Sequence, residues 1–112
     1  MNKLFDSGLS AEVISKSQQI FTHFSEIEEV VLYGSRAMGN YRIGSDIDIT
    51  IKLQSEVKPS ITLLSKISMA IDDLDLIYSF DISFFSQIDN ENLVEHINTQ
   101  GVIFYPLAQG RV

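Results

Sequence analysis

The sequence predicts a small α/β protein with a single domain. Segments with the three- and four-residue apolar spacing of helices alternate along the chain with short runs that resemble strands. The chain has 112 residues, of which 45% are hydrophobic and 21% are charged, as is ordinary for one folded domain. Because no repeat or low-complexity stretch divides the sequence, we expect one domain over residues 1–112 with a core over about 10–105.

The first half of the chain predicts a helix followed by two strands. Ser10 is suited to cap a helix over about 10–24, whose mainly apolar face comprises Val13, Ser17, Ile20, Phe21 and Phe24. The apolar run Val30–Tyr33, which ends at Gly34, predicts a buried strand. The segment Ser45–Lys52 then alternates as a strand does, with one face formed by Ile47, Ile49 and Ile51 and the other by Asp46, Asp48 and Thr50.

The second half predicts two further helices and two further strands. Pro59 suits the first turn of a helix whose buried stripe is Ile61, Leu64, Ile67, Ile71 and Leu74. Leu76–Phe85 alternates again, with Asp81 on its polar face. Asp89 or Asn90 is expected to cap a short helix that ends at Gly101, and Val102–Tyr105 is expected to form a last strand.

Composition and charge exclude several classes of protein. A net charge of −7 argues against tight non-specific binding to nucleic acid, because an acidic chain repels the phosphate backbone. The absence of cysteine rules out disulfides and thiolate metal sites. No segment reaches the ~20 apolar residues of a membrane span, and the N-terminus lacks the apolar run of a signal peptide. We therefore expect a soluble, cytoplasmic protein that binds no membrane.

Asp46 and Asp48 indicate a metal site on the polar face of their strand. At positions i and i+2 both carboxylates project from one face, roughly 6–7 Å apart at Cβ. Anions this close repel each other unless a cation neutralises them, and Mg²⁺ binds carboxylates together with substrate phosphate. If the strand of Asp81 is the neighbouring one, three carboxylates share the face and suit two metal ions. The plainer interpretation, a solvated strand face, stays open here, although aspartate is depleted in strands.

The turn at Gly34-Ser35 is a candidate phosphate-binding loop. Glycine lets the backbone approach a ligand closely, and a helical turn over Arg36–Gly39 would offer free N–H groups to a phosphate. Arg36 and Arg42 add cationic donors that suit phosphate oxygens. The Walker A, dinucleotide-binding and EF-hand patterns are each incomplete in this sequence. An ordinary turn at the end of a strand remains the alternative.

The whole segment GSRAMGNYRIGSDIDI resembles the signature of the nucleotidyltransferase superfamily that includes DNA polymerase β. That signature is Gly-Ser, a short spacer, Asp-x-Asp and a later acidic residue on a strand, matched here by Gly34-Ser35, Asp46-x-Asp48 and Asp81. The fuller pattern of Gly-Ser-Arg-Ala-x-Gly, an arginine and Ser-Asp-x-Asp is most similar to the minimal nucleotidyltransferases, the MNT proteins. The resemblance implies a nucleotidyltransferase fold, in which helices flank a small mixed sheet and the active site lies on one open face.

The resemblance also implies a reaction and a role for each matching residue. Members of the superfamily transfer a nucleoside monophosphate from a nucleoside triphosphate to a hydroxyl and release pyrophosphate. By this resemblance Asp46, Asp48 and Asp81 would be catalytic residues that bind two Mg²⁺ ions, and Asp81 would also be the general base. The nucleotide, expected to be ATP, would be held by Gly34, Ser35, Arg36, Arg42 and Ser45.

The MNT resemblance implies a protein partner as well. Minimal nucleotidyltransferases are encoded beside HEPN-domain proteins, and there the MNT protein is the antitoxin to a ribonuclease toxin, in some members by transferring AMP to a tyrosine of it. We therefore expect a hetero-oligomer with a HEPN-domain toxin. Two alternatives stay open: an antitoxin that neutralises the toxin by binding alone, and a free-standing transferase for a small aminoglycoside-like hydroxyl compound. His23 and His96 lie on separate predicted helices, and we expect them to face solvent or a partner.

Overall fold

The computed structural model describes residues 3–106, except the side chains of residues 3 and 5, so the chain ends 1–2 and 107–112 lie outside the description. Within this range the strands are β1 (Ile27–Tyr33), β2 (Ile47–Leu53), β3 (Phe80–Phe84) and β4 (Val102–Tyr105). They form one sheet in the order β3-β2-β1-β4, in which β1 is antiparallel to both of its neighbours and β2 is parallel to β3. The predicted α/β fold is confirmed, and the sheet is mixed.

Helices connect these strands. The described residues form α1 (Ala11–Thr22), a short α2 (Ser35–Met38), α3 (Ile61–Asp72) and α4 (Glu91–Gln100), with 3₁₀ turns over Lys3–Asp6 and Phe85–Gln87. Each of the three longer helices begins with a side-chain oxygen that accepts a backbone N–H three residues on, from Ser10, Ser60 and Asn90. The predicted cap at Ser10 is confirmed, and of the two candidates for α4 the cap is Asn90. No helix in residues 3–106 has the length and apolar character needed to cross a bilayer.

The main core lies between one face of the sheet and helices α1 and α3. Ile47, Ile49 and Ile51 of β2 are completely buried there, together with Phe21 of α1 and Ile67 of α3. Burying each such side chain contributes about 1.5–3 kcal/mol relative to exposure, so a one-residue slip of β2 would be strongly unfavourable. The isoleucines therefore fix the register of β2, and with it the direction in which its aspartate points.

Helix α3 departs from its prediction at its N-terminus. Pro59 lies outside the helix, because the hydroxyl of the next residue, Ser60, caps it by accepting the N–H of Leu63. Ile61, predicted to be buried, is 78% exposed, and Leu63 takes its place in the core with Ile67 and Ile71. The buried stripe thus begins two residues later than predicted, since Leu63, Ile67 and Ile71 follow the four-residue step.

The strands differ from their predictions mainly in length. β1 begins at Ile27, three residues before the predicted start. β3 is confined to Phe80–Phe84, although the alternating sequence pattern extends over residues 76–85. Asp75 adopts a positive φ of 54° and Ile77 is 92% exposed, so the segment before β3 is a loop. Alternation alone does not distinguish a strand from an extended loop that lacks a neighbour to pair with.

Candidate active site

Three polar side chains lie side by side across three strands at one edge of the sheet. Asp48 of β2 is in register with Asp81 of the parallel strand β3 and with Tyr33 of the antiparallel strand β1. Side chains paired in this way point to the same face of a sheet. The condition for placing Asp81 on the same face as Asp48, that their strands are neighbours, is therefore met.

Asp48 occupies the centre of this row. Its carboxylate is half-buried, whereas Asp81 is exposed. Burial raises the pKa of Asp48 above its ordinary value, and the negative charges of Asp81 and then Asp46 raise it further. The same two effects act on Tyr33: burial raises the pKa of its phenol, the charges of Asp81 and Asp48 add to this, and a hydrogen bond with Ser83 opposes it. The row thus concentrates negative charge where it is partly shielded from water.

Asp46 lies at the rim of this group and not on the strand. β2 begins at Ile47, and Asp46, which directly precedes it, is exposed. Within residues 3–106, no three histidine, cysteine or acidic side chains are placed so that they could hold a metal ion together. The predicted set of three carboxylates is therefore present as a close pair, Asp48 and Asp81, with the third at the edge.

Gly34 ends β1 directly beside the carboxylate of Asp48. Its backbone has φ 78° and ψ −153°, a conformation that is essentially restricted to glycine. A Cβ atom on Gly34 would lie 2.5 Å from Oδ2 of Asp48, so the end of that side chain would have to shift. The turn therefore requires glycine, and the missing Cβ leaves the Asp48 carboxylate in its place.

The predicted helical turn after Gly34 is present as α2. The carbonyl oxygen of Gly34 accepts the N–H groups of Ala37 and Met38, and Gly39 ends the turn with a φ of 81°. Ser35, the first residue of α2, is partly buried. A second tight turn leads into β2: Ser45 donates its N–H to the carbonyl of Arg42 and accepts the N–H of Arg42 at its hydroxyl, at 2.9 and 2.8 Å.

Arg36 is buried beneath this loop, and its guanidinium is directed at backbone carbonyls. Nε and Nη2 donate to the carbonyl oxygen of Ser45 at 3.2 and 3.1 Å, and Nη1 donates to that of Ser7 at 2.9 Å. The rings of Tyr41 and Tyr78 lie 4.9 and 5.0 Å from its central carbon. The phosphate contact predicted for Arg36 stays a prediction. The hydrogen bonds of Arg36 to the carbonyl oxygen of Ser45 hold the segment that precedes Asp46. Arg42, by contrast, is exposed.

A hydrogen-bonded pair lies beside the row, two residues further along β2 and β3. The Ser83 hydroxyl donates to Oγ1 of Thr50 at 3.1 Å, and Thr50 is completely buried. Because Thr50 belongs to β2 and Ser83 to β3, this pair links the two strands that carry Asp48 and Asp81.

His96 is the residue that the sequence prediction placed wrongly. It was expected to face solvent or a partner, but α4 packs against β1 and Nε2 of His96 accepts the N–H of Gly34 at 3.0 Å. Its imidazole also meets the ring of Tyr33 edge-on, with centroids 6.2 Å apart. No motif in the sequence indicates this contact, since it depends on how α4 is placed over the sheet.

Two loops border the same edge of the sheet and expose apolar residues. Ile43 is fully exposed in the loop before β2, and Ile77 is 92% exposed in the loop before β3. Both line a cavity of about 310 Å³ with Tyr41, Tyr78 and Arg42. Since each loop leads directly into a strand that carries Asp48 or Asp81, the two isoleucines lie near the entrance of the candidate site.

The residues present are suited to Mg²⁺. Asp48 and Asp81 supply the hard oxygen ligands that this ion prefers, and they leave positions for water and phosphate. Burial first and the charge of Asp81 second raise the pKa of Asp48, and a divalent cation between the two carboxylates would relieve their mutual repulsion. Bound there, Mg²⁺ would neutralise phosphate charge as a nucleotide reacts. The charge of Asp46 also acts on Asp48.

Paired carboxylates on adjacent parallel strands, beside a turn that only glycine can make, define a domain suited to phosphoryl chemistry. The chain belongs to the polymerase β nucleotidyltransferase family, whose family model matches residues 15–108. The predicted resemblance to that superfamily is therefore confirmed, and the chain carries a nucleotidyltransferase domain. No curated protein matches the chain.

Solved structures with the same fold include toxin–antitoxin proteins. One, a toxin–antitoxin determined with AMP-PNP, has a TM-score of 0.66 at 18% identity and is aligned over 86% of this chain and 75% of that chain. Another, a mutant of the toxin–antitoxin MntA-HpeT, has a TM-score of 0.61 at 17% identity and is aligned over 90% of this chain and 76% of that chain. These similarities establish the shared fold.

Proposed function

We propose that the protein is a cytoplasmic antitoxin that transfers AMP from ATP, with Mg²⁺, to a hydroxyl of a HEPN-domain toxin, with a tyrosine as the acceptor. The observation that carries the proposal is the register of Asp48 with Asp81 next to Gly34. This arrangement supplies oxygen ligands and a close backbone approach at a single edge of the sheet. The family assignment supports the type of reaction.

In the proposed reaction the acceptor hydroxyl gives its proton to the carboxylate of Asp81. The hydroxyl oxygen forms a bond to the α-phosphorus of ATP, the bond between that phosphorus and the bridging oxygen breaks, and pyrophosphate leaves. Asp81 suits the role of base because it is exposed and reachable by a large acceptor. Asp48, which is half-buried and held by the core register of β2, suits the role of metal ligand.

The remaining predicted residues are proposed to bind the nucleotide, to bind metal or to position the loop before β2. Ser35 would hold the triphosphate where Gly34 allows the backbone to approach it closely, Ser45 and the exposed Arg42 would contact it from the loop before β2, and Asp46 would be a further metal ligand. Arg36, whose donors are directed at carbonyl oxygens, would act by positioning that loop.

The partner is inferred from the solved structures with the same fold. One of them is a toxin–antitoxin determined with AMP-PNP, and the other is a toxin–antitoxin mutant in which two aspartates two positions apart are replaced by glutamate. Asp46 and Asp48 have the same spacing in this chain. The exposed Ile43 and Ile77 offer an acceptor protein apolar contacts beside the site.

The direct test is transfer of label from ATP labelled at its α-phosphate to the cognate HEPN-domain protein in the presence of Mg²⁺. We expect labelled partner with the native protein, and a loss of at least about 100-fold with Asp48→Ala or Asp81→Ala, since both groups act on the reacting phosphate. Asp89→Ala is the matched control, because Asp89 is an exposed aspartate that follows the opposite end of β3.

Neutralisation of the toxin separates transfer from binding alone. If Asp48→Ala and Asp81→Ala still bind the partner but no longer suppress its ribonuclease activity, transfer is required. If both variants bind and suppress it as the native protein does, the proposed reaction is wrong as the basis of neutralisation, and the protein acts by covering the toxin.

A further inference from the structure

Helix α4 makes a direct hydrogen bond to the candidate phosphate-binding turn. Nε2 of His96 accepts the backbone N–H of Gly34 at 3.0 Å, across 62 residues of sequence. To accept, Nε2 must carry no proton, so the imidazole is oriented with its acceptor toward the turn. The contact is partly buried, where the loss of a partner for a backbone N–H is costly.

The N–H of Gly34 belongs to the most constrained position of the site. The residue is held in a conformation restricted to glycine, its Cα lies against the Asp48 carboxylate, and its carbonyl begins α2. His96 fixes the remaining group of this residue, its N–H. The orientation of the peptide plane between Tyr33 and Gly34 therefore depends on a side chain from a different element.

We propose that His96 is a positioning residue that preorganises the Gly34-Ser35 turn for the triphosphate of the nucleotide. The inference rests on the proposed function, since it assigns the turn to the nucleotide. A second contact fits the same role: the His96 ring packs edge-on against Tyr33, the residue that precedes the turn and lies in register with Asp48. Fixing a binding loop in advance lowers the entropy lost on binding, so the effect falls on nucleotide affinity.

Two substitutions separate the acceptor from the ring. His96→Phe keeps an aromatic ring against Tyr33 but removes the acceptor, whereas His96→Gln places a carbonyl oxygen at a similar reach without the ring. His23→Gln is the control, because His23 is an exposed histidine just after α1. The measurements are the ATP affinity by calorimetry with Mg²⁺, the KM and kcat for transfer, and hydrogen exchange of the Gly34 amide by NMR.

For His96→Phe we expect the KM and Kd for ATP to rise about five- to tenfold, as loss of one hydrogen bond predicts, with kcat within about twofold of the native value. Exchange of the Gly34 amide should accelerate by a similar factor. In His96→Gln the ATP affinity and the exchange rate should return to within about twofold of native values, and His23→Gln should change neither.

The proposal is overturned if His96→Phe leaves the ATP affinity unchanged, or lowers kcat in proportion to a loss of folded protein while KM stays the same. It is also overturned if His96→Gln is as impaired as His96→Phe. If the native protein binds ATP but transfers no label, the proposed reaction fails while the affinities still decide the role of His96. If the native protein does not bind ATP, both proposals fail.

Discussion

Replacing Gly34 by alanine tests the geometry of the site at its tightest point. The φ of 78° and ψ of −153° place Gly34 in a region that costs other residues about 1–3 kcal/mol. The added Cβ would also lie 2.5 Å from Oδ2 of Asp48, so the carboxylate must move. With both effects we expect Gly34→Ala to destabilise the fold by about 3 kcal/mol, which lowers the Tm by roughly 10 °C or more.

Gly39 provides a matched control. It has nearly the same φ, 81°, but an added Cβ would find no atom within 4 Å. Gly39→Ala should therefore cost only the backbone term, about 1 kcal/mol. Stability is measured by urea unfolding followed by circular dichroism, and activity by the transfer of label to the partner. The transfer should fall at least about tenfold for Gly34→Ala, because Asp48 is displaced.

A double-mutant cycle isolates the contribution of the Asp48 carboxylate. Asp48→Ala removes the atom that the new Cβ meets, so Gly34→Ala should cost about 1 kcal/mol less in that background than in the native protein. Equal destabilisation by Gly34→Ala and Gly39→Ala, together with no coupling to Asp48, would refute the claim that the carboxylate and the glycine share one restricted space.

Three further predictions follow from the same geometry. Burial first and the neighbouring carboxylates second raise the pKa of Asp48 in the fold, so its ionisation opposes folding once the pH rises from below the ordinary carboxyl pKa through the raised value. Asp48→Asn should therefore raise the Tm at pH 7 and raise it less at pH 3. Arg36→Lys should lower the free energy of unfolding in urea by about 2 kcal/mol, because lysine cannot donate the same three hydrogen bonds or stack on the two tyrosine rings in the same way. The control Arg42→Lys, at an exposed arginine, should change it by less than about 0.5 kcal/mol. Ile43→Ser combined with Ile77→Ser should weaken calorimetric binding of the partner at least about tenfold and leave ATP affinity unchanged; unchanged partner binding would show that the acceptor docks elsewhere.

Much of the fold and part of the site could be predicted because local patterns determine them. The isoleucines of β2 have a period of two, and their burial fixes the side to which Asp48 points. The parallel pairing of β2 with β3 was also within reach, since a helix between two strands is the usual connection for such a pair. The register that aligns Asp81 with Asp48 is seen only in the structure.

The features that could not be predicted depend on tertiary contacts. The start of β2 at Ile47, two residues after the predicted start at Ser45, depends on its pairing with β1 and β3. The burial of Arg36 depends on the carbonyl oxygens and tyrosine rings that contact its guanidinium, some of them distant in sequence. His96 lies 62 residues from Gly34, and only the packing of α4 on β1 brings them together.

The negative charge of the chain bears on how a nucleotide and a metal ion would bind. A net charge of −7 and the carboxylate pair at Asp48 and Asp81 repel a free triphosphate, and the guanidinium of Arg36 donates to backbone carbonyl oxygens. If the chain binds ATP as proposed, we therefore expect a cation to lie between the carboxylates and the phosphates. Under that proposal Mg²⁺ and ATP would bind together, because the cation would offset the charge of the carboxylates and of the phosphates at once.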